Sequence, residues 1–293
     1  MGSAPQIQKA PNWSVYLALV AGVVCIGCSA IFVKLAGVPG TASAFYRVFI
    51  AGIILVPWWL LGGYSYPSMR DLVLILAGGF FFALDLVLWN SGLLLTSAAT
   101  ATLLANNAPI WVGLGALFIF HEHLSLVFWV GLTLAMIGMA FIVGGDAWGQ
   151  LSFNEGDLMA VGASLFYAAY LLTTERVRSR VNTLTFVTLS VVSCIVFLFP
   201  MSLFLGVRLT GYSHQTWLAL VGLGLVSQLG GWLAISYALG HLSAGPVSVG
   251  LLGQAVVTAL LSMPLLGEYL SMKQVTGGIL VLAGIYLVNR QSR

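Results

Sequence analysis

The chain has 293 residues, of which 60% are apolar and only 6% are charged, and its formal net charge is +3. Soluble domains of ordinary composition carry about 25% charged residues, so this composition excludes a soluble fold. It indicates a polytopic membrane protein. We expect the protein to contact membrane lipid and not to bind nucleic acid.

Ten apolar runs follow one another along the chain, separated by charged residues, Pro, Asn or clusters of Gly. A helical span needs about 20 consecutive apolar residues, and runs such as AGIILVPWWLL (51–61) do not alternate apolar and polar positions as a half-buried strand would. We therefore predict an all-α fold with ten transmembrane helices. The runs are 14–34, 42–62, 71–95, 97–120, 124–144, 157–175, 184–206, 215–239, 243–266 and 271–289.

The basic residues predict the orientation of these spans. The first run is longer than the core of a secretory signal, so we interpret it as a retained span. With the amino terminus inside, seven basic residues are cytoplasmic and three are external, as the positive-inside rule requires, and both termini face the cytoplasm. The cytoplasmic set is Lys9, Arg70, Arg176, Arg178, Arg180, Arg290 and Arg293, the external set is Lys34, Arg208 and Lys273, and Arg47 lies within a span.

A shift of 146 residues aligns the chain with itself. The stretch FIFHEHLSLVFWVG (118–131) returns in altered form as LLGEYLSMKQVTGG (265–278), and the pairs kept in register are Glu122 and Glu268, Leu124 and Leu270, Ser125 and Ser271, Gly131 and Gly277, and Gly138 and Gly284. The repeat unit is five spans. Because five is odd, the two copies must cross the membrane in opposite senses, which makes this an inverted-topology repeat.

The repeat divides the chain into two similar halves with short flanking segments. A cytoplasmic tail covers 1–13 and an external linker covers 145–156, and 290–293 form a second cytoplasmic tail. The first five-helix repeat is 14–144 and the second is 157–289.

An inverted repeat favours a carrier, since exchanging the conformations of the two halves opens the same site first to one side and then to the other. A channel or passive facilitator stays open as an alternative. A membrane enzyme is disfavoured, because the sequence contains no phosphate-binding loop, H-E-x-x-H or G-x-S-x-G motif. We predict no cofactor and no metal site.

Glu122 and Glu268 lie where one span ends and the next begins. A carboxylate there can accept hydrogen bonds from the unpaired N–H groups at the start of the next helix, and Ser271 with Gln274 fits a capping box. The alternative is a direct role in binding a coupling ion or substrate. Gly131 and Gly277 begin glycine patterns that would let helix backbones approach closely.

The segment GEYLSMKQVTGGILVLAGIYLV resembles the carboxy-terminal signature of the EamA-type families in the drug/metabolite transporter superfamily. The pattern is matched at Gly267, Glu268, Leu270, Ser271, Gly277 and Gly284, and in the first copy at Pro109, Glu122 and Gly131, although His121 replaces the expected Gly. The overall character is similar to the YddG-type exporters of aromatic amino acids. The resemblance implies ten helices in two inverted five-helix repeats, and export of amino acids or related metabolites from a bacterial cytoplasm.

Several polar and aromatic residues within spans have little reason to face lipid. Asp85 is the only acid deep in a span, with Arg47 as its obvious partner, and the pair is either a structural ion pair or a binding site for a zwitterion. The set also fits the walls of a small-molecule site, although each member singly could be packing. Its other members are Trp89, Asn106, Tyr167, Tyr170, Gln228, Trp232 and Gln254.

These observations predict a secondary transporter that exports aromatic or other apolar amino acids, or related small metabolites, by alternating access. The alternatives are a passive facilitator and an exporter of drugs or organic cations. We expect a monomer in the bacterial cytoplasmic membrane. Energy coupling stays open between a substrate gradient and proton exchange, for which Asp85 is the one candidate.

Overall fold

The computed structural model describes residues 13–95, 103–122, 124–143, 154–266 and 271–291, and every regular element within these ranges is a helix. A π-helix covers Leu223–Gly231. The helices are α1 (Trp13–Gly27), α2 (Ser29–Ala36), α3 (Gly40–Leu61), α4 (Met69–Leu95), α5 (Ala108–Phe118), α6 (Leu126–Val143), α7 (Glu155–Arg178), α8 (Thr183–Phe204), α9 (His214–Gly222), α10 (Trp232–Leu239), α11 (Ala244–Leu251), α12 (Gly253–Leu266) and α13 (Met272–Gln291).

Within the described ranges, eight helical segments are long and apolar enough to cross a bilayer, which confirms an all-helical polytopic membrane protein. Two shorter apolar helices, Leu103–Phe118 and Leu126–Ile142, overlap the spans predicted at 97–120 and 124–144. The eight long segments are Trp13–Ala36, Gly40–Leu61, Met69–Gly92, Glu155–Arg178, Thr183–Phe204, His214–Leu239, Ala244–Leu261 and Met272–Arg290.

Side-chain caps fix where several helices begin. Asn154 and Asp157 form a reciprocal capping box at the start of α7. The box predicted for the last helix is also present: the Ser271 N–H donates to Gln274 Oε1 at 2.8 Å, and the Gln274 N–H donates to Ser271 Oγ at 3.2 Å. Each box satisfies N–H groups that the first helical turn leaves without a partner.

Helices α6 and α13 pack against each other through the glycines of the two sequence repeats. A Cβ on Gly138 would lie 2.6 Å from the Gly277 carbonyl oxygen, and one on Gly131 would lie 2.9 Å from that of Gly284. Gly131 therefore meets Gly284 and Gly138 meets Gly277. Because the residue numbers in contact rise along α6 as they fall along α13, the two helices are antiparallel. The absence of side chains allows this approach.

Several helical segments are interrupted. Cys28 separates α1 from α2, a turn at Asn106 and Asn107 precedes α5, and Leu252 separates α11 from α12. Asn106 and Leu252 are 146 residues apart, so these two interruptions occupy equivalent places in the repeat. Discontinuous helices leave backbone polar groups free to meet water or a ligand, which membranes tolerate only where the chain borders a cavity or other protein.

Candidate functional site

A cavity of about 380 Å³ lies among the helices that these interruptions break. It is within the usual size range for small-molecule sites. Its polar lining residues are Ser29, Lys34, Arg47, Asp85, Asn106, Gln254, Thr258 and Gln274, and its aromatic ones are Phe82, Trp89, Tyr167 and Trp232.

Six of the eight residues predicted to contact substrate line this cavity, and Arg47 joins them; the six are Asp85, Trp89, Asn106, Tyr167, Trp232 and Gln254. Tyr170 and Gln228 are not on its wall. Both are buried immediately behind it, where each supports a residue that does line the cavity.

Arg47 is held by neutral acceptors. Its Nε donates to Gln228 Oε1 at 2.8 Å and its Nη1 reaches Ser29 Oγ at 3.4 Å, while the guanidinium lies 5.9 Å from the centre of the Phe82 ring. The side chain is only 7% exposed. Within the described ranges, no carboxylate oxygen lies within the 4.0 Å of an ion pair with Arg47, so a buried cation faces the cavity without a directly bound counter-ion.

Asp85 lies on the same cavity, one turn of α4 before Trp89. The direct Arg47–Asp85 ion pair that the sequence suggested is not formed, because the Arg47 guanidinium is turned toward Gln228 and Ser29. As far as the structure describes the chain, the Asp85 carboxylate makes no side-chain hydrogen bond. The cavity therefore offers a positive and a negative group that do not neutralise each other by contact.

The aromatic wall is built around Trp232. Its ring lies edge-on to three neighbours, with centroid distances of 4.9 Å to Phe82, 5.0 Å to Tyr170 and 5.9 Å to Tyr167. Tyr170 in turn stacks on Phe82 at 4.7 Å. Edge-to-face packing of this kind holds rings in fixed orientations. Tyr170 therefore supports the orientations of Phe82 and Trp232 without lining the cavity itself.

Two amides join the interrupted helices across the cavity. Gln254 Nε2 donates to Asn106 Oδ1 at 3.1 Å. Gln254 follows the break at Leu252 and Asn106 lies in the equivalent turn of the first repeat. The bond therefore links corresponding points of the two halves.

Among the polar and aromatic residues that line the cavity, the sequence did not single out four. Ser29, Phe82 and Thr258 carry ordinary apolar-run chemistry and gave no signal. Lys34, which the sequence predicts to be external, lies in the last turn of α2 and borders the cavity. Its position on a helix that restarts after Cys28 could be seen only in the structure.

The other predicted structural residues within the described ranges do not line the cavity. Pro109 is buried in the first turn of α5, where a missing N–H costs nothing. Glu122 does not cap the next helix as predicted. Its carboxylate accepts from Arg176 at 2.5 Å, while the Ser125 hydroxyl accepts from the Phe128 N–H at the start of α6. Glu268 lies outside the described residues.

A family model described as the EamA-like transporter family matches residues 13–144 and 154–290. The chain belongs to this family. The two matched segments cover nearly all of the chain, and each contributes residues to the cavity of this EamA-like transporter.

Several relatives of this EamA-like transporter are named as transporters. Uncharacterized transporter YdfC of Bacillus subtilis is 24% identical over 83% of this chain and 79% of its own. A probable terminal-alkyne amino-acid exporter of Streptantibioticus cattleyicolor is 27% identical over 78% and 77%. A riboflavin transporter of Vibrio cholerae is 24% identical over 71% and 69%.

A solved structure described only as "Crystal structure of protein" has the same fold. Its TM-score with the EamA-like transporter is 0.82 at 19% identity, over 97% of this chain and 99% of that one. At this level of identity the likeness extends to the fold alone.

Proposed function

We propose that this EamA-like transporter exports amino acids, with aromatic or other apolar side chains favoured, from a bacterial cytoplasm. The observation that carries the proposal is a pair of oppositely charged side chains that line one cavity without contacting each other, Arg47 held only by neutral acceptors and Asp85 without a side-chain hydrogen bond among the described residues. A zwitterionic amino acid places a carboxylate and an ammonium group on one carbon and can satisfy both.

The energetics favour such a ligand. A buried charge without a partner is costly, and a charge within a membrane protein usually faces a cavity or a counter-ion. A substrate carboxylate at Arg47 would form charge-assisted hydrogen bonds. The rings of Trp89, Tyr167 and Trp232 supply apolar surface for the side chain of the substrate.

The relatives supply a second line of support. One is named as an amino-acid exporter and another as a riboflavin transporter, so flat or apolar organic substrates occur among proteins similar to this one. Riboflavin lacks the ammonium and carboxylate groups that Asp85 and Arg47 would recognise. The charges of the cavity therefore favour the amino acid.

Alternating access is the mechanism we propose, run by ten transmembrane helices in inverted repeats of five, 14–144 and 157–289. The antiparallel contact of α6 with α13 supports this arrangement, since Gly131 meets Gly284 while its equivalent Gly277 meets Gly138. Reciprocal contacts of equivalent residues are the mark of a two-fold axis. Between antiparallel spans, that axis lies in the plane of the membrane and not along its normal.

The proposal is tested by counterflow in proteoliposomes loaded with unlabelled phenylalanine. We expect saturable, trans-stimulated uptake of labelled phenylalanine, tyrosine or tryptophan. Phenethylamine lacks the carboxylate and 3-phenylpropionate lacks the ammonium group, so both should enter poorly. Preferred uptake of riboflavin, a sugar phosphate or a nucleotide sugar, with amino acids inert, would remove the assignment, and flux without saturation or trans-stimulation would favour a passive facilitator.

A further inference from the structure

Three arginines stand at the end of α7 in the sequence ERVRSR, residues 175–180. The cavity does not use them. Each one contacts a different part of the protein, and two of these contacts join the carboxy-terminal family segment (154–290) to the amino-terminal one (13–144).

Arg176 joins α7 to the loop that follows α5. Its Nη2 lies 2.5 Å from Glu122 Oε1, and its guanidinium stacks 3.8 Å from the centre of the Phe120 ring. Both charged side chains are partly exposed, at 39% and 43%. The ring adds a cation–π attraction to the ion pair.

Arg180 joins the same region to the start of α4. Its Nε and Nη2 donate to Asp71 Oδ1 at 3.0 and 2.7 Å. The Ser68 hydroxyl donates to Asp71 Oδ2 at 2.7 Å and accepts from the Asp71 N–H at 3.2 Å. The carboxylate is thus fixed by its own helix cap before it receives the arginine.

Arg178 anchors the stretch within its own segment. Its Nε donates to the Ser236 carbonyl at 2.9 Å and its Nη2 to Thr183 Oγ1 at 2.5 Å, and Nη1 donates to the Val181 carbonyl. The side chain is buried. Because Arg178 ties α7 to α10, a movement of Arg176 or Arg180 away from the amino-terminal segment must carry this pair of helices with it.

The two ion pairs lie far from the cavity along α4 and α7, the helices that also carry cavity residues. Asp71 precedes Asp85 by 14 residues of α4, which is about 21 Å along a helix. Arg176 follows Tyr167 by nine residues of α7, or about 13 Å. At the other end, Ala30 and Lys34 line the cavity and are exposed, so the cavity reaches the protein surface there.

We propose that the Arg176–Glu122 and Arg180–Asp71 ion pairs form a latch that holds the cytoplasmic side closed while the cavity is open at the external side. The assignment of sides rests on the orientation expected from the basic residues. The latch itself is a pair of contacts between the two family segments, and opening the cytoplasmic side requires both to break.

The latch is weak enough to open in a transport cycle. The Arg176–Glu122 pair is partly exposed on both sides, so removing it should raise the ratio of inside-open to outside-open protein by about two- to fivefold. In the Arg180–Asp71 pair the arginine is half exposed but the carboxylate is buried, so removing Arg180 leaves a buried charge without its partner and should raise that ratio at least as much. Removing both should multiply these effects unless the pairs are coupled through α7. The arginines are the residues to change, because Asp71 also caps its helix.

Thiol labelling of the full chain in liposomes tests the latch without any substrate. In a background in which the three native cysteines are replaced by serine, Ser236→Cys places a buried reporter beside Arg178, and Ala30→Cys places an exposed reporter on the cavity. A membrane-impermeant maleimide is the probe. With Arg176→Gln and Arg180→Gln, we expect faster labelling of the first reporter and slower labelling of the second.

Arg290→Gln is the matched control, since it removes an arginine charge from the same side and takes part in neither ion pair. The exchanged pair Glu122→Arg with Arg176→Glu keeps both charges and should return labelling toward the wild-type rates. The latch would be overturned if each reporter were labelled at the same rate in wild type, Arg176→Gln, Arg180→Gln and the control. That result would leave the amino-acid proposal standing, because counterflow measures the cavity and not these contacts.

Discussion

Asp85 and Arg47 place opposite charges on one wall without touching, and at the residue scale this separation is the main determinant of the proposed specificity. Arg47 keeps its orientation because Gln228 accepts from its Nε. Asp85 is carried by α4 on the same face as Trp89. A ligand that brings both charges to this wall replaces the water that each group would otherwise require.

Replacing Asp85 tests the ammonium half of the site. We predict that Asp85→Asn raises the KM for phenylalanine tenfold or more, since hydrogen bonds between charged groups are worth about 1.5–3 kcal/mol. Uptake of 3-phenylpropionate, which has no ammonium group, should not fall. Initial rates of counterflow measure both quantities, and equal losses for the two compounds would mean that Asp85 supports the fold and does not recognise the substrate.

The same variant distinguishes binding from proton transport. If Asp85 carries protons, Asp85→Asn should alter the dependence of transport on pH in reconstituted vesicles, because an amide does not titrate in this range. A profile that keeps its shape while KM rises would restrict Asp85 to substrate binding, and coupling would then have to reside elsewhere or be absent.

Gln228 is a positioning residue, and replacing its side-chain amide by a carboxylate would change its effect on Arg47. In Gln228→Glu a carboxylate would stand 2.8 Å from Arg47 Nε, supplying the counter-ion that the site lacks. We predict a KM for phenylalanine raised about tenfold, with the KM for phenethylamine unchanged or lowered, because the substrate carboxylate must compete with a bound one. Gln228→Glu with an unaltered KM for phenylalanine would show that Arg47 does not bind the carboxylate.

At the scale of helices, the contact between α6 and α13 depends on glycine at particular positions. A Cβ on Gly277 would lie 2.6 Å from the Gly138 carbonyl oxygen and 2.9 Å from the Ile142 nitrogen. These are backbone atoms of a packed helix, which cannot move aside as a side chain can. The neighbouring Gly278 differs, since its nearest contact would be a Val256 methyl group at 3.8 Å.

The two adjacent glycines provide a matched pair of variants. We predict that Gly277→Ala destabilises the protein by about 1–3 kcal/mol through overpacking. Gly278→Ala should be neutral or slightly stabilising, because Ala favours a helix by about 1 kcal/mol over Gly. Melting temperatures in detergent measure both. A Gly277→Ala protein as stable as Gly278→Ala would contradict the close backbone contact.

How much of the candidate site can be predicted from the sequence depends on how rare each residue type is within an apolar run. Charges and amides inside apolar runs are rare, so Asp85, Arg47, Asn106 and Gln254 could be predicted from the sequence as candidate site residues. Rings and small residues are common in such runs, so Phe82 could not be told from packing. The partner of Glu122 could not be predicted, because a 146-residue repeat predicts equivalence between halves and says nothing about which side chain crosses between them.

At the scale of the whole molecule, the same shift of 146 residues relates the glycine contact and the helix interruptions. Gly131 and Gly138 correspond to Gly277 and Gly284 by a shift of 146 residues, and in the structure each contacts the equivalent of the other. The hydrogen bond that Gln254 Nε2 donates to Asn106 Oδ1 joins the two interrupted helices. The pocket we propose for the substrate thus lies where the two halves meet, which is where a carrier with inverted repeats needs it.

Topology is the prediction that belongs to this scale. The two halves of five spans that we propose, crossing the membrane in opposite senses, would add up to ten crossings, and ten crossings return the chain to the side where it began. We therefore predict that both termini face the cytoplasm, with Arg176, Arg180 and Arg290 on the same side. Alkaline phosphatase fused to the carboxy terminus should be inactive and a fluorescent protein fused there should be bright in bacterial cells.

The linker between the halves provides the internal control for that measurement. Fusions within 145–156 should give the opposite pattern, an active phosphatase and no fluorescence, because five spans carry the chain to the external face. If the shorter helices Leu103–Phe118 and Leu126–Ile142 do not cross the membrane, they subtract two crossings, and the linker keeps its side. The discriminating site is then the loop at Glu122, which is cytoplasmic with ten spans and external with eight. An external Glu122 would place its ion pair with Arg176 on the wrong side for the latch.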